Sequence, residues 1–287
     1  MVDTQLADSP IELNHEDINR TVKLIPPLPR SGMLLNRLFT LPNYQLSDVV
    51  RAVELDPALS GKLLQLSSGV NYGPRKPASI DEAVIRLGGG TVRSIAMAEC
   101  MRPAANLDLS FFGMTPASYW KHSVTVVCFA EELAVQHVAE FGSNFSVAAI
   151  LHDFGKAVIA THLTSELVCL AHQQHPDSSG SGLEHAILGV DHGTVSAAVA
   201  QGWDLDDDLV QSIRCHHAPE LFDHPLCHGL NVANQLAWQL EGRNTDIERE
   251  SSSRLASIAA LALSQEKLDV IAEQGSLRLR ETLEAYS

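Results

Sequence analysis

The segment Ile150-Leu-His-Asp-Phe-Gly-Lys156 lies near the middle of the 287-residue chain, in an apolar run that predicts a helix over Val147–His162. His152 and Asp153 set an imidazole and a carboxylate side by side, and Lys156 follows one helical turn after His152. A borderline divalent metal prefers this mixture of nitrogen and oxygen donors. The segment therefore indicates a helical protein with a metal site at its centre.

Helix signals recur on both sides of this segment. Asp56-Pro57 combines an N-cap with proline at the first helical position, and Ser79-Ile-Asp-Glu82 is a capping box whose helix the glycines 88–90 should end. Thr115-Pro116 opens a long helix to about His137. Neither sustained period-2 alternation nor an Asn-Gly or Asp-Gly hairpin is found, so the predicted fold class is all-α. Further helices are predicted at Thr91–Met101, Glu184–Gln201, Asp206–Cys215, Pro225–Leu240 and from Ser264 to about Glu284, with a flexible loop at Pro176–Gly182 and a linker at Glu241–Ser253.

Composition narrows the class of protein. Apolar residues make up 45% and charged residues 19%, as in soluble globular proteins, and the net charge of −15 argues against broad contact with nucleic acid or anionic lipid. The longest apolar stretches are far shorter than the roughly 20 residues of a membrane helix, and the N-terminus carries no secretory signal pattern. Five widely spaced cysteines without a C-x-x-C pair indicate buried thiols in a reducing compartment. We therefore expect a soluble cytoplasmic protein, with no nucleic-acid or membrane partner.

Histidine is the outstanding feature of the composition. Twelve of the thirteen histidines lie between His122 and His228, although histidine is not a preferred core residue and is the commonest metal ligand. His185 and His192, seven residues apart on one predicted helix, compete for a single inward position, and His192 is preferred. The candidate metal ligands are His122, His152, Asp153, His192, His216, His217 and Asn234, and the candidate catalytic residues are Lys156 and Asp153.

Each candidate also has a purely structural interpretation. The His152-Asp153 pair would serve equally as a helix cap beside a hydrogen-bonded imidazole, and His122 as a satisfied core histidine. Lys156 would either bind phosphate or complement a nearby carboxylate, and Asn234 would be a packing amide. The remaining histidines, predicted to be surface or capping residues, are His137, His162, His172, His175, His224 and His228.

These motifs in combination resemble the HD superfamily of metal-dependent phosphohydrolases. The resemblance is closest to its HDOD branch, the HD-related output domain, over about residues 20–240. In the first half it rests on Leu24-Ile-Pro-Pro-Leu-Pro29, Asp56-Pro57-Ala58-Leu59 and Ile80-Asp-Glu-Ala83 with Arg86-Leu87-Gly88. In the second half it rests on His152-Asp153, on Glu184-x4-Gly189-x-Asp191-His192, on Gly202-Trp203 and on His216-His217.

Two departures from the family pattern bear on activity. Asn234 stands where HD enzymes usually have the last aspartate ligand, and a neutral amide offers one weaker oxygen without charge. After His217 the chain reads Ala218-Pro-Glu, so the glutamate and the Gly-Tyr-Pro run of HD-GYP enzymes are missing. The resemblance therefore implies that cyclic dinucleotides are not substrates. HDOD proteins in general are thought to have lost the metal residues, whereas this chain keeps six of them.

The resemblance implies a signal-transduction or regulatory module with a largely retained site for one or two divalent transition metals. Iron is favoured, with manganese, zinc or nickel as alternatives. A working phosphohydrolase acting on a phosphomonoester, phosphodiester or nucleotide is the second hypothesis, and a metal-free scaffold is the third. The expected partner is a regulatory protein or a phosphate-containing small molecule. The predicted organisation is an N-terminal helical lobe over residues 1–112, an HD-like helical domain over 113–241 and a C-terminal extension over 242–287.

Overall fold

The computed structural model describes residues 30–41, 43–68, 75–100, 107–136, 141, 145–163, 180–242 and 247–286. Within these ranges every regular element is helical, so the all-α fold class is confirmed. None of the helices described is long and apolar enough to cross a membrane. The N-terminal helices are Arg30–Thr40 (α1), Leu46–Glu54 (α2), Pro57–Leu66 (α3), Ile80–Leu87 (α4) and Gly89–Cys100 (α5). A short 3-10 helix at Ser110–Phe112 precedes Pro116–Gln136 (α6), Phe145–Leu151 (α7), Phe154–Ala160 (α8), Gly180–Leu188 (α9), His192–Gly202 (α10), Asp207–Arg214 (α11), Pro225–Leu240 (α12), Ile247–Ala260 (α13) and Gln265–Tyr286 (α14).

Buried apolar side chains form two main clusters. The first cluster runs from Leu35 to Ala96 and contains residues from all five helices α1 through α5. The second runs from Met97 to Ile271 and joins the later helices. Helix α5 contributes to both clusters and also packs against α7, so it connects the two clusters. The domain boundaries at residues 112 and 241 stay a prediction.

Local sequence signals explain most helix starts. The Asp56 side chain accepts hydrogen bonds from the backbone of Ala58 and Leu59, and Ser79 accepts one from Glu82, as their capping patterns predict. Gly88 ends α4 with φ +77°, a conformation that glycine adopts without strain. The prediction for the neighbouring glycines was wrong. Residues 89 and 90 begin α5, and a Cβ at Gly89 would lie 2.7 Å from the ring of Phe39.

Four predicted segments differ from the structure. The run Val147–His162 is broken at His152–Asp153 into α7 and α8, and Glu184–Gln201 is broken between α9 and α10. At the second break Gly189 has φ +69°, and Asp191 caps α10 through the backbone N–H of Thr194. The predicted linker Glu241–Ser253 contains the first half of α13, in which Ser253 is buried. Of the predicted loop Pro176–Gly182, residues 180–182 begin α9 and the others lie outside the described residues.

The prediction that His228 is a surface or capping residue was wrong. His228 is 6% exposed, with Nδ1 3.1 Å from Ser257 Oγ and Nε2 2.9 Å from Asp223 Oδ1. This order of serine, histidine and aspartate resembles a hydrolytic triad, but Ser257 is completely buried and cannot reach a substrate. The contact between His228 on α12 and Ser257 on α13 instead links these two helices. His224 caps α12 as predicted, whereas His137, His172 and His175 lie outside the described residues.

The C-terminal helix α14 is held to α6 by a partly buried ion-pair cluster. Arg278 donates to Glu132 Oε1 from Nη2 at 2.6 Å and from Nε at 2.8 Å, and its Nη1 lies 3.1 Å from Glu131 Oε2. Burial raises the pKa of Glu131, although Arg278 opposes this shift. Close packing adds to the attachment, since a Cβ at Gly275 would lie 2.3 Å from Phe129.

We expect Arg278→Ala to lower the free energy of unfolding by about 2 kcal/mol, because two largely buried carboxylates lose their charged donor. Urea unfolding measures the change. Arg280→Ala on the exposed side of the same helix is the matched control and should change stability by less than about 0.5 kcal/mol. Equal losses in the two variants would contradict a specific role for the cluster.

Candidate metal centre

All seven predicted metal ligands lie in one largely buried cluster among the helices between Pro116 and Leu240. Helix α6 supplies one histidine from its middle, and the break between α7 and α8 supplies a histidine and an aspartate. Helix α10 begins on a histidine, two more follow the end of α11, and α12 supplies an asparagine. In this order the residues are His122, His152, Asp153, His192, His216, His217 and Asn234. His185, the alternative to His192, is exposed and lies on a different helix from His192.

Asp153 is the centre of the cluster. Its Oδ1 lies 3.1 Å from His192 Nε2 and 3.4 Å from His152 Nε2, and its Oδ2 accepts a 2.7 Å hydrogen bond from Lys156 Nζ. The carboxylate is completely buried. Burial alone would raise the pKa of Asp153, but His152, Lys156 and His192 together hold it well below its usual value. Asp153 is therefore ionised and faces both sides of the cluster.

The donor atoms fall into two groups. One consists of His122, His152 and Asp153, and the other of His192, His216 and His217; within each, one donor atom per residue lies within 4.8 Å of the others. These are reachable distances for a single cation after small side-chain rotations. Asn234 adjoins the first group, because its Oδ1 lies 3.0 Å from His122 Nε2.

Backbone carbonyls fix the orientation of two imidazoles. His152 Nδ1 lies 2.8 Å from the oxygen of Ala149, and His216 Nδ1 lies 2.6 Å from that of Ile213. Because a carbonyl oxygen only accepts, Nδ1 carries the hydrogen in both rings and Nε2 keeps its lone pair. Both Nε2 atoms are buried and, among the described residues, have no hydrogen-bond partner. Buried acceptors without partners, one of them 3.4 Å from the Asp153 carboxylate, fit a metal cation.

Carboxylates orient two further imidazoles, one in each group. Glu184 lies 2.7 Å from His192 Nδ1, and Glu241 lies 3.2 Å from His122 Nδ1 through each of its oxygens. Burial disfavours the charged form of His192, but Glu184 outweighs it and raises the pKa of His192 to about 9. In the ion-free protein the proton on Nε2 therefore faces Asp153 and His217, and a cation would have to displace it.

The other imidazoles of the cluster are held neutral. Burial lowers the pKa of His152 to about 4, and neighbouring His122 and Lys156 add to the shift. Burial also lowers the pKa of His216 and His217 well below the usual value, with the nearby histidines contributing. Neutral imidazole is the form that binds metals. Three of the five histidines are thus already in the binding form at neutral pH.

Close contact between α8 and α10 keeps the cluster in register. The backbone N–H of Gly155 donates to Ser196 Oγ at 2.7 Å, and Ser196 Oγ donates to the oxygen of His152 at 2.8 Å. A Cβ at Gly155 would lie only 2.1 Å from the backbone oxygen of His192. Only glycine permits this approach, which brings His192 to the same place as Asp153.

Three contributors were missing from the predicted site. Glu184 belongs to the motif that precedes His192, so the sequence held a signal for it. Glu241 was assigned to a linker, and no sequence pattern distinguishes it. Trp238 was also missed; its ring is nearly parallel to those of His122 and His217, at centroid distances of 6.1 and 5.5 Å. It forms a wall shared by the two groups.

Comparison with known proteins places this geometry in a family. The HDOD domain matches residues 25–219. A protein from Treponema pallidum (strain Nichols), itself uncharacterised, is 27% identical over 226 residues, and the match covers 76% of this chain but only 43% of that relative.

Solved structures share the fold. A proposed phosphohydrolase from Shewanella amazonensis SB2B superposes with a TM-score of 0.70 at 21% identity, covering 93% of this chain and 96% of its own. An HDOD domain protein of unknown function from Geobacter sulfurreducens superposes with a TM-score of 0.70 at 18% identity. The match covers 95% of this chain and 98% of that one. A proposed signal transduction protein from Marinobacter aquaeolei VT8 superposes with a TM-score of 0.67 at 21% identity, and the match covers 96% of this chain and 66% of that one. With more than half of its length matched by the domain, this chain belongs to the HDOD family.

Proposed function

We propose that this protein is an HDOD signal-transduction module that holds one or two divalent transition metals. The observation that carries the proposal is the pair of buried, partnerless Nε2 atoms of His152 and His216, whose ring centroids lie 5.1 Å apart, together with the buried Asp153 carboxylate 3.4 Å from His152 Nε2. The holding residues are His122, His152 and Asp153, assisted by Asn234, for one ion, and His192, His216 and His217 for the other. Iron is the favoured metal, because the donors are imidazole and carboxylate without thiolate. Manganese, zinc or nickel would be accepted by the same donors.

The polar chemistry of the site favours a regulatory module over an efficient enzyme. Asn234 contributes a dipole where a carboxylate would contribute charge, and Lys156 already neutralises one oxygen of Asp153. The site is also enclosed, since apart from the partly exposed His217 its proposed ligands are at most 1% exposed. A bound ion would therefore stabilise one arrangement of α6, α8, α10 and α12, which a regulatory protein partner or a phosphate-containing small molecule would then recognise.

A metal-dependent phosphohydrolase is the second candidate, and Lys156 is the observation that favours it. Lys156 is 7% exposed, and its ammonium lies 2.7 Å from Asp153 Oδ2 in the cluster. In this mechanism Lys156 turns from Asp153 to the non-bridging oxygens of a phosphoryl group and neutralises their charge. Asp153 helps hold a divalent ion, which supplies Lewis acidity when bound.

Metal titration and a turnover assay on the same preparation separate these functions. Trp120→Phe combined with Trp203→Phe leaves Trp238 as the single tryptophan, and its emission reports binding at both groups. Saturable quenching by iron(II) without turnover of p-nitrophenyl phosphate or its bis ester supports the module. Turnover that disappears in His152→Ala supports the hydrolase. If neither quenching nor bound metal is observed, the metal-free scaffold is the function that remains.

Asn234→Asp should tighten metal binding by about 10-fold or more, because a carboxylate adds formal charge beside His122. Asn234→Ala is the control for loss of the amide. Isothermal titration of the three proteins at one pH measures the difference. If all three have the same affinity, residue 234 does not face the ion and the site is built from the other six residues.

Cyclic di-GMP should not be hydrolysed with multiple turnovers by the metal-loaded protein. Ala218 occupies the position at which the resemblance leads us to expect a catalytic glutamate, and the Gly-Tyr-Pro run is absent from the sequence. Chromatography of the nucleotide after incubation provides the measurement. Linear product that exceeds the enzyme concentration, and that is lost in His152→Ala, would place the chain in the HD-GYP branch instead.

A further inference from the structure

We infer that Glu241 is a positioning residue that fixes the tautomer of His122 from outside the matched domain. The HDOD match ends at residue 219, and Glu241 lies 22 residues beyond it, at the C-terminal end of α12. This inference rests on the proposed metal site and adds a residue that orients one of its ligands. It assigns a role in the site to the segment that follows the family domain.

The geometry of the contact defines the role. Both carboxylate oxygens of Glu241 lie 3.2 Å from His122 Nδ1, so the acceptor is centred on that nitrogen. The His122 side chain is completely buried, and that of Glu241 is 11% exposed. Glu241 is a stronger hydrogen-bond acceptor than the Asn234 amide oxygen on the other side of the ring, and it lies closer to the ring than Asp153 does, so it places a hydrogen on Nδ1. Nε2 is then the atom that faces Asp153 Oδ2 at 3.6 Å and Asn234 Oδ1 at 3.0 Å.

The position of Glu241 is unfavourable for helix stability, which argues for a role elsewhere. Glu241 is the C-cap residue of α12, where the negative end of the helix dipole disfavours a carboxylate. Gly242 follows with φ +67° and turns the chain away from the helix axis. The backbone thus ends the helix at the residue whose side chain returns to His122.

The arrangement is paired across the site. In the second group Glu184 holds Nδ1 of His192, just as Glu241 holds Nδ1 of His122 in the first. Each group of three donors therefore contains one imidazole backed by a carboxylate, whereas His152 and His216 are backed by carbonyls. A carboxylate behind an imidazole raises its basicity as a ligand and prevents ring rotation. Glu241 would supply this effect to the group whose own last oxygen donor is the neutral Asn234.

The direct test is the tautomer of His122 in metal-free protein. Nitrogen-15 chemical shifts of selectively labelled histidine distinguish hydrogen on Nδ1 from hydrogen on Nε2, and the His122→Asn variant identifies the signal. We expect hydrogen on Nδ1 in the wild type, its retention in Glu241→Gln, whose amide oxygen still accepts, and its loss in Glu241→Ala. Glu273→Ala, which removes an exposed carboxylate from α14, is the charge control and should leave the signal unchanged.

Metal titration of the same variants provides the second readout. Glu241→Ala should weaken binding at one group by about 10–100-fold and leave the other unchanged, with Glu241→Gln between the alanine variant and the wild type. If the wild type binds no metal, the proposed function fails, while the nitrogen-15 result still decides whether Glu241 fixes the tautomer. If the wild type binds metal but the tautomer of His122 is the same in Glu241→Ala, the positioning role is wrong.

Discussion

Replacing Asp153 by alanine is expected to weaken divalent-metal binding by at least about 100-fold and to lower the free energy of unfolding by about 3–5 kcal/mol. The first effect follows because Asp153 is the charged oxygen donor that the two groups share. The second follows because Lys156, buried at 7% exposure, loses the carboxylate that balances it. Isothermal titration and urea unfolding measure the two effects separately.

A double variant separates ligation from folding. Adding Lys156→Met to Asp153→Ala removes the stranded charge and should recover most of the stability, because an apolar pair can replace a buried ion pair at little cost. Metal binding should stay weak. Loss of the helix cap does not confuse the result, since the Asp153 side chain makes no capping hydrogen bond in α8. A double variant that binds metal like the wild type would show that Asp153 is not a ligand.

Among the glycines in the described part of the chain, Gly155 is the one at which an added methyl group, as in Gly155→Ala, should be most disruptive. The added Cβ would lie 2.1 Å from the oxygen of His192 and 2.8 Å from the nitrogen of Ser196, so α8 and α10 must move apart. We expect a loss of about 3 kcal/mol or more in the free energy of unfolding, since backbone atoms cannot yield as a flexible side chain does. Metal binding should fall as well, because the movement takes His192 away from Asp153.

Gly61→Ala is the matched control for this substitution. Gly61 is also helical, but no atom outside its own helix lies within 4 Å of the added Cβ. Alanine there should raise the free energy of unfolding by about 0.5–1 kcal/mol through helix propensity. Thermal and urea unfolding of both variants provide the comparison. A Gly155→Ala protein as stable as Gly61→Ala would mean that α8 and α10 do not touch as described.

Much of the fold was predictable because its signals are local. The Asp56 and Ser79 caps and the proline at the start of α12 act within a few residues, and the structure has helices at each. Helix breaks inside apolar runs were not predictable from periodicity, because packing decides them. His152–Asp153 interrupts its helix to face other helices, and Gly189 interrupts another so that Asp191 can cap α10.

The candidate site was predictable in its ligands but not in its support. The crowded histidines and the resemblance to HD proteins together pointed to residues that the fold brings into one cluster. The argument that placed His185 and His192 on one helix was wrong, yet the preference for His192 agrees with its burial. Glu241 and Trp238 could not be found, because their contacts cross from α12 to α6, and to the segment after α11, without any local pattern.

The most direct test of the metal centre is elemental analysis of the wild type beside the Asp153→Ala, Lys156→Met double variant. Both proteins are expressed in metal-supplemented medium, purified together without a histidine-rich tag, and dialysed against one buffer. We expect the wild type to retain a transition metal, with iron the most abundant, and the double variant to retain at least about 10-fold less. Wild-type metal at the level of the buffer, or equal metal in both proteins, would contradict a metal centre built on Asp153.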